Sequence, residues 1–186
     1  MEIMIDSLTN FNFDTQRLTI SKFSNPKNDL EKDFFINVTK ILTPNVTKSL
    51  PKGWQNINTL STAKKWVKER NKESVFLIVK TKDTSEMIGF IFLFPIYLEN
   101  NLIDIRFGYL LSESFWKKGL GTELIKGLVY KCQNSGNIKS ISGGIERDNI
   151  GSIRVMQKCG FQPLNTYEKD NTVFFYQYSF DCKPTK

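Results

Sequence analysis

Two almost continuously apolar segments in the middle of the chain constrain its fold more than any other feature. Residues 74–80 and 87–94 flank the turn-forming sequence Lys82-Asp-Thr-Ser85, which predicts a β-hairpin. Strands that are apolar at nearly every position are covered on both faces of their sheet. We therefore expect helices on both sides of this hairpin. A hydrophobic content of 40% with 15 Phe residues is typical of a chain that buries a sizeable core.

The remaining periodicities complete an α/β (α+β) order of β-α-α-β-β-β-α-β-α-β-β. The other predicted strands are 17–23, 103–111, 139–145, the region around 161–168, and 173–180. The predicted helices are one after Pro26, with Leu30, Phe34, Val38 and Ile41 at helical spacing, one at about 61–70, one after Gly121 and one from Asn149. Hairpins mixed with β-α-β crossovers favour a mixed, mainly antiparallel central sheet of about seven strands with helices on both faces. We expect an N-terminal arm, 1–13, and a single domain, 14–182.

Charge and residue usage exclude several classes of function. The net charge of +7 favours an anionic ligand, but the arginine stripe or aromatic-interleaved basic patch of a nucleic-acid binder is missing. The sequence contains no His, which excludes His-based triads and the common zinc sites, so we expect no metal.

The sequence constrains the cellular location and the oligomeric state of the protein less tightly. Three cysteines, Cys132, Cys159 and Cys182, form no C-x-x-C pair and favour a reducing, cytoplasmic location. The longest apolar run, 87–98, contains Pro95 and is shorter than the roughly 18 residues of a membrane span. The sequence leaves open whether the protein is a monomer or a homodimer.

A glycine loop, Lys117-Lys118-Gly119-Leu120-Gly121-Thr122, joins a predicted strand to a predicted helix. Glycines let a backbone approach a phosphate, and a helix start presents unpaired N–H groups. The same pattern also occurs in ordinary tight turns. A dinucleotide fingerprint needs a third glycine where Leu124 stands, and the Gly-Lys-Ser/Thr of a P-loop is absent. The loop therefore predicts a different kind of anion site.

Four segments in order carry a wider pattern. They are Thr15-Gln-Arg-Leu18, Phe107-Gly-Tyr-Leu-Leu111, Phe115-Trp-Lys-Lys-Gly-Leu-Gly-Thr-Glu123 and Asn149-Ile-Gly-Ser-Ile-Arg-Val-Met-Gln-Lys-Cys-Gly-Phe161. Across about 14–180 the chain resembles the GNAT acetyltransferases, and specifically the branch of the ribosomal-protein N-terminal acetyltransferases. The resemblance implies a GNAT fold and transfer of an acetyl group from acetyl-CoA to a primary amine, on a protein N-terminus or a small molecule.

The resemblance also implies the residues that bind the donor. Backbone groups of Leu110 and Leu111 bind the pantetheine arm and polarise the thioester carbonyl. Amides of Lys117, Lys118, Gly119, Leu120, Gly121 and Thr122 surround the pyrophosphate, Asn149 reaches the pantetheine, Ser152 lies near the acetyl group, and Lys158 approaches the phosphates. Simpler roles stay open: a helix cap for Asn149, a bond to the backbone for Ser152, and a solvated helix-end cation for Lys158.

The catalytic groups are less constrained by the resemblance. Many GNAT enzymes protonate the leaving thiolate with a Tyr where this chain has Met156, so Ser152 or water is the expected proton donor. This branch often carries Glu where Arg106 stands. Candidate general bases are Glu146 first and Asp104 second, although either carboxylate could serve only in a surface ion pair.

The acceptor side is assigned more coarsely. Trp54 and Gln55, in the polar connection 43–58, are expected to border the acceptor groove. Two alternatives remain: a non-catalytic acyl-CoA sensor, suggested by Met156 and Arg106, and an acetyltransferase for polyamines or antibiotics. A nucleotide-binding regulatory module is disfavoured by the failed fingerprints.

Overall fold

A computed structural model of the chain describes residues 8, 10–26, 30–164 and 172–181. Several sequence-based predictions lie outside these residues. They are Cys182, most of the arm 1–13, the second half of the predicted strand 161–168, and most of the turn 169–172.

The described strands form one mixed sheet. They are β1 (Phe13–Asp14), β2 (Leu18–Lys22), β3 (Val75–Thr81), β4 (Met87–Tyr97), β5 (Ile103–Leu111), β6 (Ile138–Glu146), β7 (Gln162–Pro163) and β8 (Val173–Ser179). Their order across the sheet is β1-β2-β3-β4-β5-β6-β8-β7. The β5–β6 pair is parallel and the other described pairs are antiparallel. The predicted mixed, mainly antiparallel sheet is confirmed.

Helices cover the sheet on both faces, as the apolar hairpin predicted. They are α1 (Leu30–Ile41), α2 (Pro44–Thr47), α3 (Leu60–Glu73), α4 (Leu120–Gln133) and α5 (Ile150–Lys158). The helices α4 and α5 pack against one face, in a core that includes Leu124 and Met156. The helices α1 and α3 pack against the other face, where Trp66 contacts Phe90 and Phe92 of β4.

Strand β1 and helix α2 are among the short elements that were not predicted. Strand β1 pairs with β2 at Phe13↔Ile20 and brings the described strands to eight. Helix α2 lies in the connection predicted to be irregular. It forms because Pro44 occupies its first turn and the Thr43 side chain accepts a hydrogen bond from Val46 N at 3.3 Å, which are two common helix-start features.

Candidate functional site

Strands β5 and β6 separate at one end of the sheet. Their parallel pairing stops at Arg106↔Ser142, although β5 continues to Leu111 and β6 to Glu146. Paired strands lie about 4.8 Å apart, so loss of pairing marks an opening between them. We call the opening between 107–111 and 143–146 the strand gap.

The register of β4 and β5 decides which backbone groups of β5 face the strand gap. Ser112 N donates to Ile88 O on β4 at 2.7 Å. Alternate residues of a strand direct their backbone groups to the same side, so Leu110 also faces β4, and its carbonyl oxygen lies against that strand. Tyr109 and Leu111 therefore direct their N–H and C=O groups toward the strand gap. Of the two predicted backbone contacts, the one at Leu111 fits this geometry, and Tyr109 is better placed than Leu110.

The indole of Trp116 fixes the end of β5. Its Nε1 donates to the carbonyl oxygen of Leu111 at 2.7 Å. This bond occupies one acceptor at the mouth of the strand gap and leaves the Leu111 N–H directed into it. Trp116, which immediately precedes the glycine loop, thus ties the start of the loop to the end of β5.

The predicted glycine loop turns sharply and then starts α4. Lys117 and Gly119 have positive φ angles, 59° and 78°, and no side-chain hydrogen bond caps α4. The amides of its first turn, Leu120 to Thr122, have no carbonyl partner within the helix. Glu123 N closes the turn on Gly119 O at 3.1 Å. An uncapped helix start of this kind binds anions well.

The loop lies beside the strand gap. A Cβ placed on Gly121 would lie 3.4 Å from Val155 Cγ2 on α5 and 3.9 Å from both Leu111 Cδ1 and Tyr109 Cε2. Lys117 and Lys118 are exposed at the loop. Residue 121 therefore connects the glycine loop with the end of β5.

An open groove of about 600 Å³ runs over the start of α4. Gly119 and Thr122 line it together with Lys126 and Lys158. The structure thus brings the predicted Lys158 to the same groove as the loop. Lys126, one turn further along α4, was not predicted, because an exposed helix lysine carries no distinguishing sequence signal.

Asn149 and Ser152 meet at the start of α5. Asn149 is the N-cap, and its Oδ1 accepts from Ser152 N at 3.1 Å, so the cap role left open by the sequence is present. The Ser152 hydroxyl accepts a long hydrogen bond, 3.4 Å, from Tyr109. Burial raises the pKa of Tyr109 to about 12, so this phenol remains a proton donor near neutral pH.

Met156 fills the position where many related enzymes carry a Tyr. It is 2% exposed, and a Cβ on Gly143 would lie 2.9 Å from its Cε and 3.2 Å from Phe107 O. The thioether thus packs beneath the strand gap. Met offers no acidic proton there. Hydroxyl groups are present at Ser152, on α5, and at Tyr109, on β5.

The two candidate bases lie at different heights of the sheet. Ile145 is buried under α5, so Glu146 projects from the opposite face, where it is exposed. Glu146 comes four residues after the last β5–β6 pair, level with Leu110 across the strand gap. Asp104 precedes that last pair, and its Oδ1 accepts from Ser140 Oγ at 2.6 Å. This geometry favours Glu146.

Trp54 borders the sheet face on which Glu146 lies. Its ring centroid is 4.6 Å from that of Phe92, and Phe92 lies 3.9 Å from a Cβ built on Gly108 of β5. The Arg70 guanidinium lies over the Trp54 ring, with its Cζ atom 4.3 Å from the ring centroid. Gln55 uses its side-chain amide locally, since Nε2 donates to Leu50 O at 2.9 Å.

Two long-range contacts at the site escaped the sequence analysis. Glu123 on α4 accepts from Arg17 Nε at 2.7 Å, and Glu113, just before the loop, accepts from Asn45 Nδ2 at 2.8 Å. The partners are 106 and 68 residues apart. Arg17 and Glu123 lie in the resembling segments 15–18 and 115–123, but the resemblance gave neither of them a role.

Comparison of this chain with known proteins identifies its family. The model of the acetyltransferase (GNAT) domain matches residues 17–162. The chain belongs to the GNAT acetyltransferase family. It is also 30% identical over 163 residues, 83% of this chain and 86% of the relative, to an uncharacterized N-acetyltransferase p20 of Bacillus licheniformis.

Solved structures of the GNAT fold superpose well on the chain. A GNAT-family acetyltransferase from Bacillus anthracis gives a TM-score of 0.72 at 17% identity, over 90% of this chain and 98% of that one. The ribosomal α-N-protein acetyltransferase RimL, solved in complex with coenzyme A, gives 0.70 at 16% identity, over 92% and 99%. These likenesses agree with the predicted fold.

The GNAT assignment makes the chain an acyltransferase. Within the described ranges, no helix combines the length and apolar character needed to cross a membrane. The acceptor, the catalytic residues and the donor contacts of this chain go beyond the family assignment.

Proposed function

We propose that the protein transfers the acetyl group of acetyl-CoA directly to a primary amine, either a protein N-terminal α-amine or the amine of a small molecule. One observation carries the proposal: the strand gap continues directly into the uncapped start of α4. A phosphate at the helix start and an extended arm in the gap are the two parts of one coenzyme A molecule.

The residues present fit this donor substrate. The amides of 120–122 and the side chains of Lys117 and Lys118 supply donors and positive charge for the pyrophosphate. The groove that holds Lys158 continues beside them. The backbones of Tyr109 and Leu111 supply donors and acceptors to the pantetheine amides, and the Leu111 N–H is placed to polarise a carbonyl oxygen.

The acceptor amine approaches from the sheet face that carries Glu146 and Trp54. In the transfer, the amine nitrogen forms a bond to the carbonyl carbon, the carbon–sulfur bond breaks, and the amine loses a proton. Glu146 is the proposed acceptor of that proton. Ser152 is the proposed donor of a proton to the departing sulfur, and it takes a replacement from Tyr109 or water.

The chemistry of the base favours acceptors of low pKa. An exposed carboxylate is a weak base, and an α-amine with a pKa of about 7.7–8.0 is partly neutral at pH 7, whereas a lysine amine at about 10.4 is almost wholly charged. We therefore rank protein N-termini above lysine-like amines. The chain shares its fold with RimL, an α-N-protein acetyltransferase, which is consistent with this ranking.

A second candidate function is a non-catalytic acyl-CoA sensor. The buried Met156 favours it, because the acid used by many relatives is missing. The two functions share the donor site and differ in turnover.

Thiol release separates the two. Purified protein with acetyl-CoA is mixed with peptides of varied N-termini, polyamines and aminoglycosides, and free coenzyme A is measured with a thiol reagent and the product by mass spectrometry. We expect acetylated product from at least one peptide. Binding of acetyl-CoA without turnover on any amine would favour the sensor.

The role of Glu146 is tested with the active amine. We expect Glu146→Gln to lower kcat about 10²-fold, the smaller end of a general-base effect, with little change in acetyl-CoA affinity. Glu99→Gln, which changes an exposed carboxylate in the turn between β4 and β5, is the matched control and keeps the wild-type rate. An unaltered kcat in Glu146→Gln would remove it as the base.

A further inference from the structure

The segment Thr15–Arg17 forms a dense set of contacts with the start of α4. Arg17 Nε and backbone N donate to the two carboxylate oxygens of Glu123, both at 2.7 Å, and Thr15 Oγ1 donates to Glu123 Oε1 at 2.6 Å. Arg17 Nη1 also donates to the carbonyl oxygen of Lys118 at 3.1 Å. We call this set the Arg17 clamp.

Further contacts hold the Arg17 clamp in place, one within the segment 15–18 and one with α4. Leu18 N donates to Thr15 Oγ1 at 3.0 Å, which fixes the hydroxyl that in turn binds Glu123. A Cβ on Gly127, one turn after Glu123, would lie 2.6 Å from Thr15 Cγ2. The strand segment therefore packs directly on α4, and the clamp is held in place by close contact as well as by hydrogen bonds.

Binding to the Lys118 carbonyl sets the direction of the next amide. The C=O of Lys118 and the N–H of Gly119 belong to one planar trans peptide group and point in opposite directions. Because Arg17 Nη1 holds the oxygen on the side of β2, the Gly119 N–H is directed away from β2. Gly119, with φ of 78°, is the residue at which the loop turns into α4.

The clamp also neutralises a charge that opposes an anion. Glu123 lies in the first turn of α4, where its carboxylate would repel a pyrophosphate bound by the same turn. Arg17 pairs with that carboxylate while keeping its second terminal nitrogen, Nη2, 3.6 Å from a Cβ built on Gly119. Arg17 thereby offsets the negative charge that Glu123 places beside the loop.

We propose that Arg17 is a positioning residue for the pyrophosphate of the donor: it aims the Gly119 amide and cancels the charge of Glu123, and so raises affinity for the part of coenzyme A that carries the phosphates. The inference rests on the proposed acetyl-CoA function. It gives the segment 15–18 a role that neither the fold nor the family description supplies.

The test compares coenzyme A with S-acetylpantetheine, which has the same pantetheine arm, acetylated at sulfur, and lacks the entire phosphorylated nucleotide. Coenzyme A is titrated calorimetrically, and S-acetylpantetheine, which lacks the pyrophosphate, by ligand-observed NMR at millimolar concentration. We expect Arg17→Ala to weaken coenzyme A at least 10-fold and to leave S-acetylpantetheine within twofold. Lys64→Ala, which breaks an exposed ion pair with Glu31 of the same length, 2.7 Å, is the matched control and changes neither.

Two further variants separate the parts of the clamp. Arg17→Lys keeps the charge and loses the forked contact with Glu123 and Lys118, so we expect an intermediate loss of coenzyme A affinity. Arg17→Ala with Glu123→Gln removes the unpaired carboxylate, and we expect it to bind coenzyme A at least threefold more tightly than Arg17→Ala alone. Failure of that recovery would overturn the charge-cancelling role.

A merely structural role gives a different result. If Arg17→Ala weakened both ligands by the same factor, or bound coenzyme A like the wild type, the proposal would be overturned. If Arg17→Ala does not fold, the same comparison is made with Arg17→Lys. A larger loss of affinity for coenzyme A than for S-acetylpantetheine then supports the proposal, and equal losses overturn it. A wild-type protein that binds no coenzyme A would instead overturn the proposed function itself.

Discussion

Glu123 shows how one carboxylate can serve both stability and binding. Burial alone would raise the pKa of Glu123, but hydrogen bonds from Thr15 and from the Arg17 backbone and side chain, together with the Arg17 charge, outweigh burial and hold the pKa below its usual range. A carboxylate that is stabilised in its charged form favours the folded state when it is ionised. The contacts of Glu123 thus contribute to stability as long as the pH stays above its folded pKa.

The pH dependence of this contribution has a definite sign. The folded pKa lies below the reference value of 4.5, so the contribution is present above about pH 4.5 and is lost as the pH falls through the folded pKa. We expect Glu123→Gln to lower the free energy of unfolding by about 1 kcal/mol at pH 7 and by progressively less toward pH 3. Urea denaturation across this range measures the difference. A difference that stays constant with pH would contradict the assignment.

The strand gap is a property of two strands and the helix beneath them. Parallel pairing ends at Ser142, and the next residue, Gly143, sits over Met156 and close to Phe107 O. Absence of a side chain at 143 lets α5 approach the sheet at the point where β6 leaves β5. The opening therefore depends on local packing as much as on the strands themselves.

A methyl group at position 143 tests this packing. Its Cβ would lie 2.9 Å from Met156 Cε and 3.2 Å from Phe107 O, closer than ordinary van der Waals contact. We expect Gly143→Ala to cost about 1–3 kcal/mol of folding free energy, the usual cost of overpacking a core. Adding Met156→Ala removes the Cε contact, and in a double-mutant cycle we expect a favourable coupling of Gly143→Ala with Met156→Ala. Additive losses in urea denaturation would contradict the packing argument.

For the molecule as a whole, the sequence predicted most of the architecture because the relevant signals are local. Strand β5 has the predicted bounds, 103–111, since its apolar alternation and flanking turns are read within a few residues. The sharp turn before α4 followed from the glycines and the helix after them. Both predictions depend on neighbours along the chain.

The rest required three-dimensional information. The direction of the Leu110 backbone depends on the register of β5 with β4, in which Leu110 pairs with Phe90. Arg17 and Glu123 meet across 106 residues, and a pair of opposite charges at that separation has no signature in a single sequence. Long-range partners and strand register therefore account for what the sequence did not predict at the site.

The proposed acetyl transfer requires one coenzyme A molecule to occupy the strand gap and the start of α4 together. Calorimetric titration of acetyl-CoA into the wild type and into Gly121→Trp tests this directly, because residue 121 lies where the two regions meet. We predict one site per chain in the wild type and at least a 100-fold loss of affinity in Gly121→Trp, with a cooperative thermal transition retained. Equal affinities in the two folded proteins, or no binding to the wild type, would contradict the account.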